Sequence, residues 1–150
     1  MAERHNATRV GGRLGVTLAE LTVVLVILGV LVALGAPRWA AAADRAAVQS
    51  ALAEAASVFA AARQSAIYSR SAVAVEVDTA NAIVRAHRGA EVVLQRSLRG
   101  GYAVRLTASR DSMAYDARGL GIGAANLSLV IRRGRAQDTL FVSRLGRVRW

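Results

Sequence analysis

The sequence predicts an α+β protein in which one long N-terminal helix, half transmembrane and half amphipathic, packs on an antiparallel β domain. Three observations predict this class. Apolar residues form an unbroken run near the N-terminus, then recur every three or four residues, and later alternate with polar residues. Helix first and strands afterwards, with no βαβ alternation, is typical of α+β proteins.

Composition limits the possible functions. The chain has 150 residues, of which 54% are hydrophobic, 20% are charged and none is cysteine. One ordinary domain with an extra segment fits this length, and disulfides, thiolate metal sites and cysteine nucleophiles are excluded. All twenty basic residues are arginine, and ten acidic residues leave a formal charge of +10. Genome base composition is one explanation for arginine in place of lysine, but it does not explain the excess of positive charge, which is compatible with a polyanionic partner.

The first element is the apolar run 16–36, which carries a single charge, Glu20. Its length suits a helix that crosses a ~30 Å hydrocarbon core. The preceding segment, 1–15, holds three arginines against one glutamate, and a basic segment before an apolar run normally stays in the cytoplasm. We therefore expect a single-pass protein with its C-terminal part on the other side of the membrane.

The run from Gly15 through Leu21, followed by the aliphatic stretch and by Pro37, resembles the leader and first helix of type IV prepilins. The resemblance implies that residues 1–15 are a leader, that a prepilin peptidase cleaves between Gly15 and Val16, and that Val16 becomes N-methylated. It also implies a helix kink at Pro37, the only proline. Val16 stands where the family most often has phenylalanine.

Glu20 would be the fifth residue of the processed chain and would act in assembly. A charge costs roughly 2.5–3.5 kcal/mol at a bilayer centre and less near an end, so such a group usually has a partner. Cleavage would create an ammonium group at Val16, which Glu20 of a neighbouring subunit could neutralise. The alternative is that the Glu20 carboxylate simply reaches the membrane interface.

The second half of the long helix, residues 37–70, is amphipathic and Ala-rich, and we expect it to end near Ser69. Its apolar positions recur at helical spacing: Val48, Leu52, Ala55, Phe59, Ala62 and Ala66.

Residues 71–150 are expected to form the antiparallel β domain. A period of two from residue 72 and a turn at Thr79–Asn81 predict a hairpin, and glycines separate further short apolar segments. The predicted strands are 72–78, 83–84, 92–96, 102–106, 113–115, 127–132, 139–143 and 147–150.

The C-terminal half resembles the GspH/FimT branch of minor pseudopilins in the segments 115–120, 127–131 and 143–149. Some FimT-type proteins of that branch bind DNA through a Gly-Arg-x-Arg motif, which Gly146, Arg147 and Arg149 match. Residues 132–150 hold six arginines, Arg144 among them, against one acid. Guanidinium groups suit phosphate oxygens. The alternative is that these arginines solubilise an edge strand or contact other subunits.

Three functional hypotheses remain. The first is a minor pilin or pseudopilin of a type II secretion pseudopilus or type IV pilus. Such a subunit would lie in the bacterial inner membrane and then in a filament. Its partners would be the prepilin peptidase, other pilins and the inner-membrane assembly platform. The second adds DNA binding for uptake. The third is a periplasmic binding protein, either anchored by the apolar segment or secreted after signal peptidase cuts near Ala40–Ala43. His5 and His87 lack further ligands at usable spacing, so no metal, cofactor or catalytic role is expected.

Overall fold

The computed structural model describes residues 15–123 and 126–150, apart from the side chain of Pro37. The chain divides into two compact units, Met1–Pro37 and Arg38–Trp150. The N-terminal part of helix α1 (Leu18–Ser69) belongs to the first unit and the rest to the second. Arg70, which follows α1, has a left-handed backbone with φ 51°, a conformation that commonly terminates helices. The predicted end of the helix is therefore confirmed.

In its described residues, 38–123 and 126–150, the second unit contains eight antiparallel strands and one short helix after the long one. The first sheet has the order β3-β2-β1-β5 and the second has the order β4-β6-β7-β8. The elements in chain order are β1 (Val73–Asp78), β2 (Ile83–Arg88), β3 (Glu91–Ser97), α2 (Leu98–Tyr102), β4 (Arg105–Ala108), β5 (Ser112–Tyr115), β6 (Leu127–Arg133), β7 (Ala136–Val142) and β8 (Val148–Arg149).

Two strand predictions need correction. The segment predicted as a strand over 102–106 begins in α2, and Ala103 after it has φ 52°, so β4 starts only at Arg105. The predicted last strand, 147–150, is reduced to Val148–Arg149, since it pairs with β7 only opposite Phe141 and Val142. The other predicted strands are present with shifted ends. Strand β7 begins at Ala136 because its pairing with β6 extends to Arg133 beside a tight turn.

One core joins the second half of α1 to both sheets. The predicted apolar positions of the helix are all buried, with exposed fractions of 2% at Val48 and 0% at Leu52, Ala55, Phe59, Ala62 and Ala66. Alanine at three of these positions leaves room for the large side chains of the sheets, including Tyr115 and Leu129. Every buried hydrophobic residue of the described chain belongs to the second unit, which thus has a core of its own.

Polar contacts also tie the helix to each sheet. The Arg133 Nε lies 3.0 Å from Asp44 Oδ1, and Gln49 Nε2 donates to Asp138 Oδ2 at 2.8 Å, so both contacts reach the second sheet. Glu54 accepts a hydrogen bond from Arg96 Nε of the first sheet at 2.7 Å. The helix therefore lies against both sheets with a defined register along its axis.

Candidate functional site

The start of helix α1 is built by a threonine cap. The Thr17 hydroxyl accepts a hydrogen bond from the Glu20 backbone N–H at 3.2 Å, and the Thr17 carbonyl accepts one from Leu21 at 3.1 Å. A threonine three residues before a glutamate is the sequence of a capping box. Glu20 also lies in the first helical turn, where the helix dipole favours negative charge. Its position in the apolar run is thus compatible with a stable helix start.

Apolar side chains in the first unit face outward on every side of the helix. Their exposed fractions run from 47% at Val24 to 84% at Leu18. Among the described residues, α1 is the one helix long and apolar enough to cross a membrane, with mean hydropathy 2.6 over a window of which none is buried. Length and composition alone support this, and a secretory signal shares both properties. Such a surface requires lipid or other apolar helices around it.

Gly15 and Val16 precede the helix cap. A Cβ atom at Gly15 would meet no described atom within 4 Å, so packing against the described residues does not require glycine there. Val16 is 65% exposed. The predicted kink position, Pro37, lies inside the span of α1 and at the boundary of the two units. Cleavage, N-methylation and the kink all remain predictions.

The Gly-Arg-x-Arg segment begins in the turn between β7 and β8, at Gly146 and Arg147, and continues into β8. Ser143 N–H donates to the Arg147 carbonyl, and Gly146 N–H donates to the Ser143 carbonyl, each at 2.9 Å. Gly146 is buried, and its φ of 72° is a conformation that glycine adopts without strain. A Cβ atom there would lie 2.6 Å from Arg63 Nε and 2.8 Å from the Gly119 carbonyl oxygen. The glycine of the motif therefore has a structural role.

The three predicted DNA-binding arginines, Arg144, Arg147 and Arg149, are exposed, and none of them forms an ion pair with another described residue. Arg147 and Arg149 flank the half-buried Val148, so their side chains leave the same side of the chain. An open groove of about 740 Å³ lies beside them. It is lined by Arg147, Arg149, Phe141, Leu145, Ser128 and Asn126, among others.

The Asp116 turn of the other C-terminal motif segment holds the distal end of α1. The Asp116 carboxylate accepts hydrogen bonds from the backbone N–H groups of Leu120 and Arg118, at 2.9 and 2.8 Å, and these bonds, with the Arg118 guanidinium, hold the pKa of Asp116 below its usual value. Arg63 of α1 donates from Nε to the Gly119 carbonyl at 3.0 Å. This segment therefore positions the β7–β8 turn through a shared contact with Arg63.

Sequence reasoning missed the Arg63 contact, since nothing in the sequence relates residue 63 to residues 119 and 146. His87 lies on the first sheet, where its Nε2 is 3.2 Å from Glu76 Oε1. No group of three or more potential metal ligands occurs within 15–123 and 126–150.

No protein-family model matches the chain, and no curated protein matches it. Solved structures do match. Two crystal forms of the type IV minor pilin FimU of Pseudomonas aeruginosa align with a TM-score of 0.56 at 15% and 16% identity, covering 68% and 67% of this chain and 86% and 90% of FimU. The minor pseudopilin EpsH of the type 2 secretion system of Vibrio cholerae aligns with a TM-score of 0.53 at 13% identity, covering 68% of this chain and 94% of EpsH. At such identities the likeness establishes a pilin-like fold.

Proposed function

We propose that the chain is a minor pilin or pseudopilin subunit of a type II secretion pseudopilus or a type IV pilus. The observation that carries the proposal is a fully exposed apolar helical segment followed by a unit that contains its own core. The apolar segment requires a lipid or helical environment, while the second unit needs no further cover. The fold shared with FimU and EpsH supports the same role. In this proposal the function is assembly, and the subunit catalyses no reaction.

Processing is the first step of the proposed pathway. A prepilin peptidase cleaves after Gly15, and the new N-terminus at Val16 is methylated in the bacterial inner membrane. The N-terminus enters on the cytoplasmic side and residues 38–150 lie in the periplasm. Because packing does not require glycine at residue 15, its presence is better explained by the peptidase than by the fold.

Mass spectrometry of the chain produced in a bacterium with a prepilin peptidase tests this step. We expect a mature chain that begins with N-methyl-Val16. The variant Gly15→Val should remain unprocessed, whereas Gly29→Val should be cleaved normally, since a Cβ atom at either glycine meets no described atom within 4 Å. A chain that begins near Ala40–Ala43 would instead identify the secreted periplasmic binding protein, and an uncleaved chain would identify the anchored one.

Assembly follows from the chemistry of the cleaved N-terminus. Cleavage places an ammonium group on Val16, and the Glu20 carboxylate of a neighbouring subunit neutralises it when the helices stack. In an apolar filament core such a pair forms because either charge alone would be strongly unfavourable. The pair therefore selects one axial register between subunits, which then contact the inner-membrane assembly platform and other pilins.

The variant Glu20→Gln separates this assembly role from helix capping. Glutamine also suits the third position of a capping box, so the variant keeps the local structure and removes only the charge. We expect Glu20→Gln to be absent from sheared filaments. Thr17→Ala, which removes the cap hydroxyl and keeps the carboxylate, should still assemble. Normal incorporation of Glu20→Gln would contradict the charge-pairing mechanism.

A second candidate function is DNA capture by the same subunit during uptake. The observation that favours it is the cluster of exposed arginines without acidic partners, Arg144, Arg147 and Arg149, beside the groove at the β7–β8 turn. Such groups bind phosphates without sequence specificity and with strong salt dependence. Loss of DNA retardation in Arg147→Gln/Arg149→Gln, with filament assembly intact, is the expected result. If the variant and the unaltered chain retard DNA equally, these arginines do not bind DNA and are better assigned to contacts between subunits.

A further inference from the structure

The outer faces of the two sheets differ in charge pairing, with opposite charges side by side on the first sheet and like charges side by side on the second. On the first sheet Glu76 lies directly opposite Arg85, and the Glu76 carboxylate also lies 3.2 Å from the His87 imidazole. Opposite charges placed across neighbouring strands stabilise a sheet. The outer face of the first sheet thus has the charge pairing expected of a solvated surface.

The second sheet departs from this rule. Arg105 of β4 lies directly opposite Arg132 of β6, and both side chains are exposed. Like charges at such positions are destabilising. Within the described part of the chain neither arginine forms an ion pair. The next residue in the row is the uncharged Gln137 of β7.

The rest of this outer face contains no acidic side chain among the described residues. Its further rows, read across the paired strands, are Thr107, Val130 and Thr139, then Ser128, Phe141 and Arg149. Asp138, the acid of β7, lies on the opposite side of the strand, where it accepts a hydrogen bond from Gln49 of the helix. The face therefore presents arginines, hydroxyl groups and an amide, together with the apolar side chains of Val130 and Phe141.

Strand geometry gives the dimensions of the face. Arg132 and Ser128 are four residues apart, which is about 14 Å along β6, and β6 and β8 are two strand spacings, or about 10 Å, apart. Arg132 and Arg149 are therefore about 17 Å apart, and Arg105, one strand farther from β8, is about 20 Å from Arg149. Since each strand of duplex DNA has one phosphate per 3.4 Å of helix axis, arginines this far apart would contact different phosphates.

We infer that Arg105 and Arg132 form a second phosphate-binding row, so that duplex DNA docks on the whole outer face of the second sheet and not on the β7–β8 turn alone. A bound phosphate oxygen relieves the repulsion between the two guanidinium groups and forms charge-assisted hydrogen bonds with both. The hydroxyl groups of Thr107, Thr139 and Ser128 add donors between the two rows. Large apolar side chains are few on this surface of the described chain, with Phe141 exposed on the paired strands and Leu145 in the adjacent turn, which favours a phosphate backbone over a lipid surface. The inference rests on the proposed DNA capture.

A fluorescence anisotropy titration of the full-length chain in neutral detergent with a short DNA duplex tests the inference. If Arg105, Arg132, Arg147 and Arg149 each neutralise one phosphate, the affinity should fall about 150-fold between 50 and 200 mM salt. The affinity of the variant Arg105→Gln/Arg132→Gln should fall only about 12-fold over the same salt range, because the variant lacks two of the four phosphate contacts. The variant Arg147→Gln/Arg149→Gln should show the same dependence of affinity on salt, because it also lacks two contacts.

The matched control is Arg45→Gln/Arg85→Gln, which removes the same charge from the outward side of α1 and from the first sheet. This control should keep the salt dependence of the unaltered chain. If Arg105→Gln/Arg132→Gln behaves like the control, the second row is wrong while DNA capture at the turn stands. If the unaltered chain does not bind DNA at low salt, DNA capture itself fails.

Two further readouts separate phosphate binding by the arginine pair from a structural role and from membrane binding. Because the two arginines repel each other, Arg105→Gln/Arg132→Gln should have an unchanged or higher thermal midpoint, and a lower midpoint would make the pair structural. Binding to vesicles that contain an anionic phospholipid should not depend on the pair when it is measured relative to neutral vesicles, since the apolar helical segment itself enters any lipid bilayer. Pair-dependent binding to these vesicles in place of DNA would overturn the inference in favour of a membrane surface.

Discussion

Gly146→Ala is expected to destabilise the second unit strongly, because the new methyl group meets two kinds of cost. The backbone φ of 72° imposes a left-handed conformation, which costs an alanine about 1–2 kcal/mol. The methyl group would also lie 2.6 Å from Arg63 Nε and 2.8 Å from the Gly119 oxygen, the two atoms that share a hydrogen bond. Loss of that charged bond costs about 1.5–3 kcal/mol. The total is about 2.5–5 kcal/mol.

Thermal unfolding of the full-length chain in detergent, followed by circular dichroism, measures this loss. For a unit of about 110 residues, 1 kcal/mol corresponds to about 4 °C, so the midpoint should fall by about 10–20 °C. The control is Gly89→Ala, which has a similar φ of 57° and no atom within 4 Å of the new methyl group. It should fall by only about 4–8 °C. Equal shifts in the two variants would refute the steric argument and leave only backbone strain.

Three other changes test the core and the titrating groups. Tyr115 is fully buried, its hydroxyl has no hydrogen-bond partner among the described residues, and burial raises its pKa to about 12. The stability of the fold should therefore be complete below pH 10 and fall as the pH rises towards 12. Tyr115→Phe should remove this alkaline loss and add about 1–3 kcal/mol to the free energy of unfolding, as thermal midpoints measured from pH 8 to 12 would show. Hydrogen bonds, above all that from Leu120, lower the pKa of Asp116, so the stabilisation by its carboxylate is present above about pH 4 and is lost as the pH falls through the folded-state pKa. Asp116→Asn should therefore flatten the acid side of the profile of thermal midpoint against pH. An unchanged profile would show that Asp116 is not the source of the acid loss. Phe59→Ala should lower the free energy of unfolding by about 3–5 kcal/mol, because Phe59 is fully buried. Tyr68→Ala, which changes a residue that is 88% exposed, should change it by no more than about 0.5 kcal/mol. Similar losses of stability in the two variants would contradict the assigned core.

Local patterns predicted much of the fold. The apolar positions at helical spacing, from Val48 to Ala66, are the buried face of α1, and the alternation that begins near Val73 is β1. These patterns were informative because a helix or strand with one buried face repeats its apolar residues with its own period. Helix α2 was not predicted, since its five residues are too few to show a period and include two glycines.

The candidate sites were predicted unequally. The N-terminal motif from Gly15 to Leu21 and the exposed arginines of the β7–β8 turn were visible in the sequence because each depends on neighbouring residues. The partition of the strands into two sheets was not, and neither was the pairing of Arg105 with Arg132. Such pairings depend on strand register, which no short segment contains.

The sequence by itself determined the exposed apolar segment, the buried face of the following helix half, the succession of short strands and the excess of arginine, because composition and periodicity act within a single element. Only the tertiary structure decided which distant residues meet. It placed Gly146 and Gly119 against Arg63, Asp44 against Arg133, and two arginines side by side on the second sheet. The physical reason is that contacts between elements follow from register and packing of the whole core, which local preferences leave open.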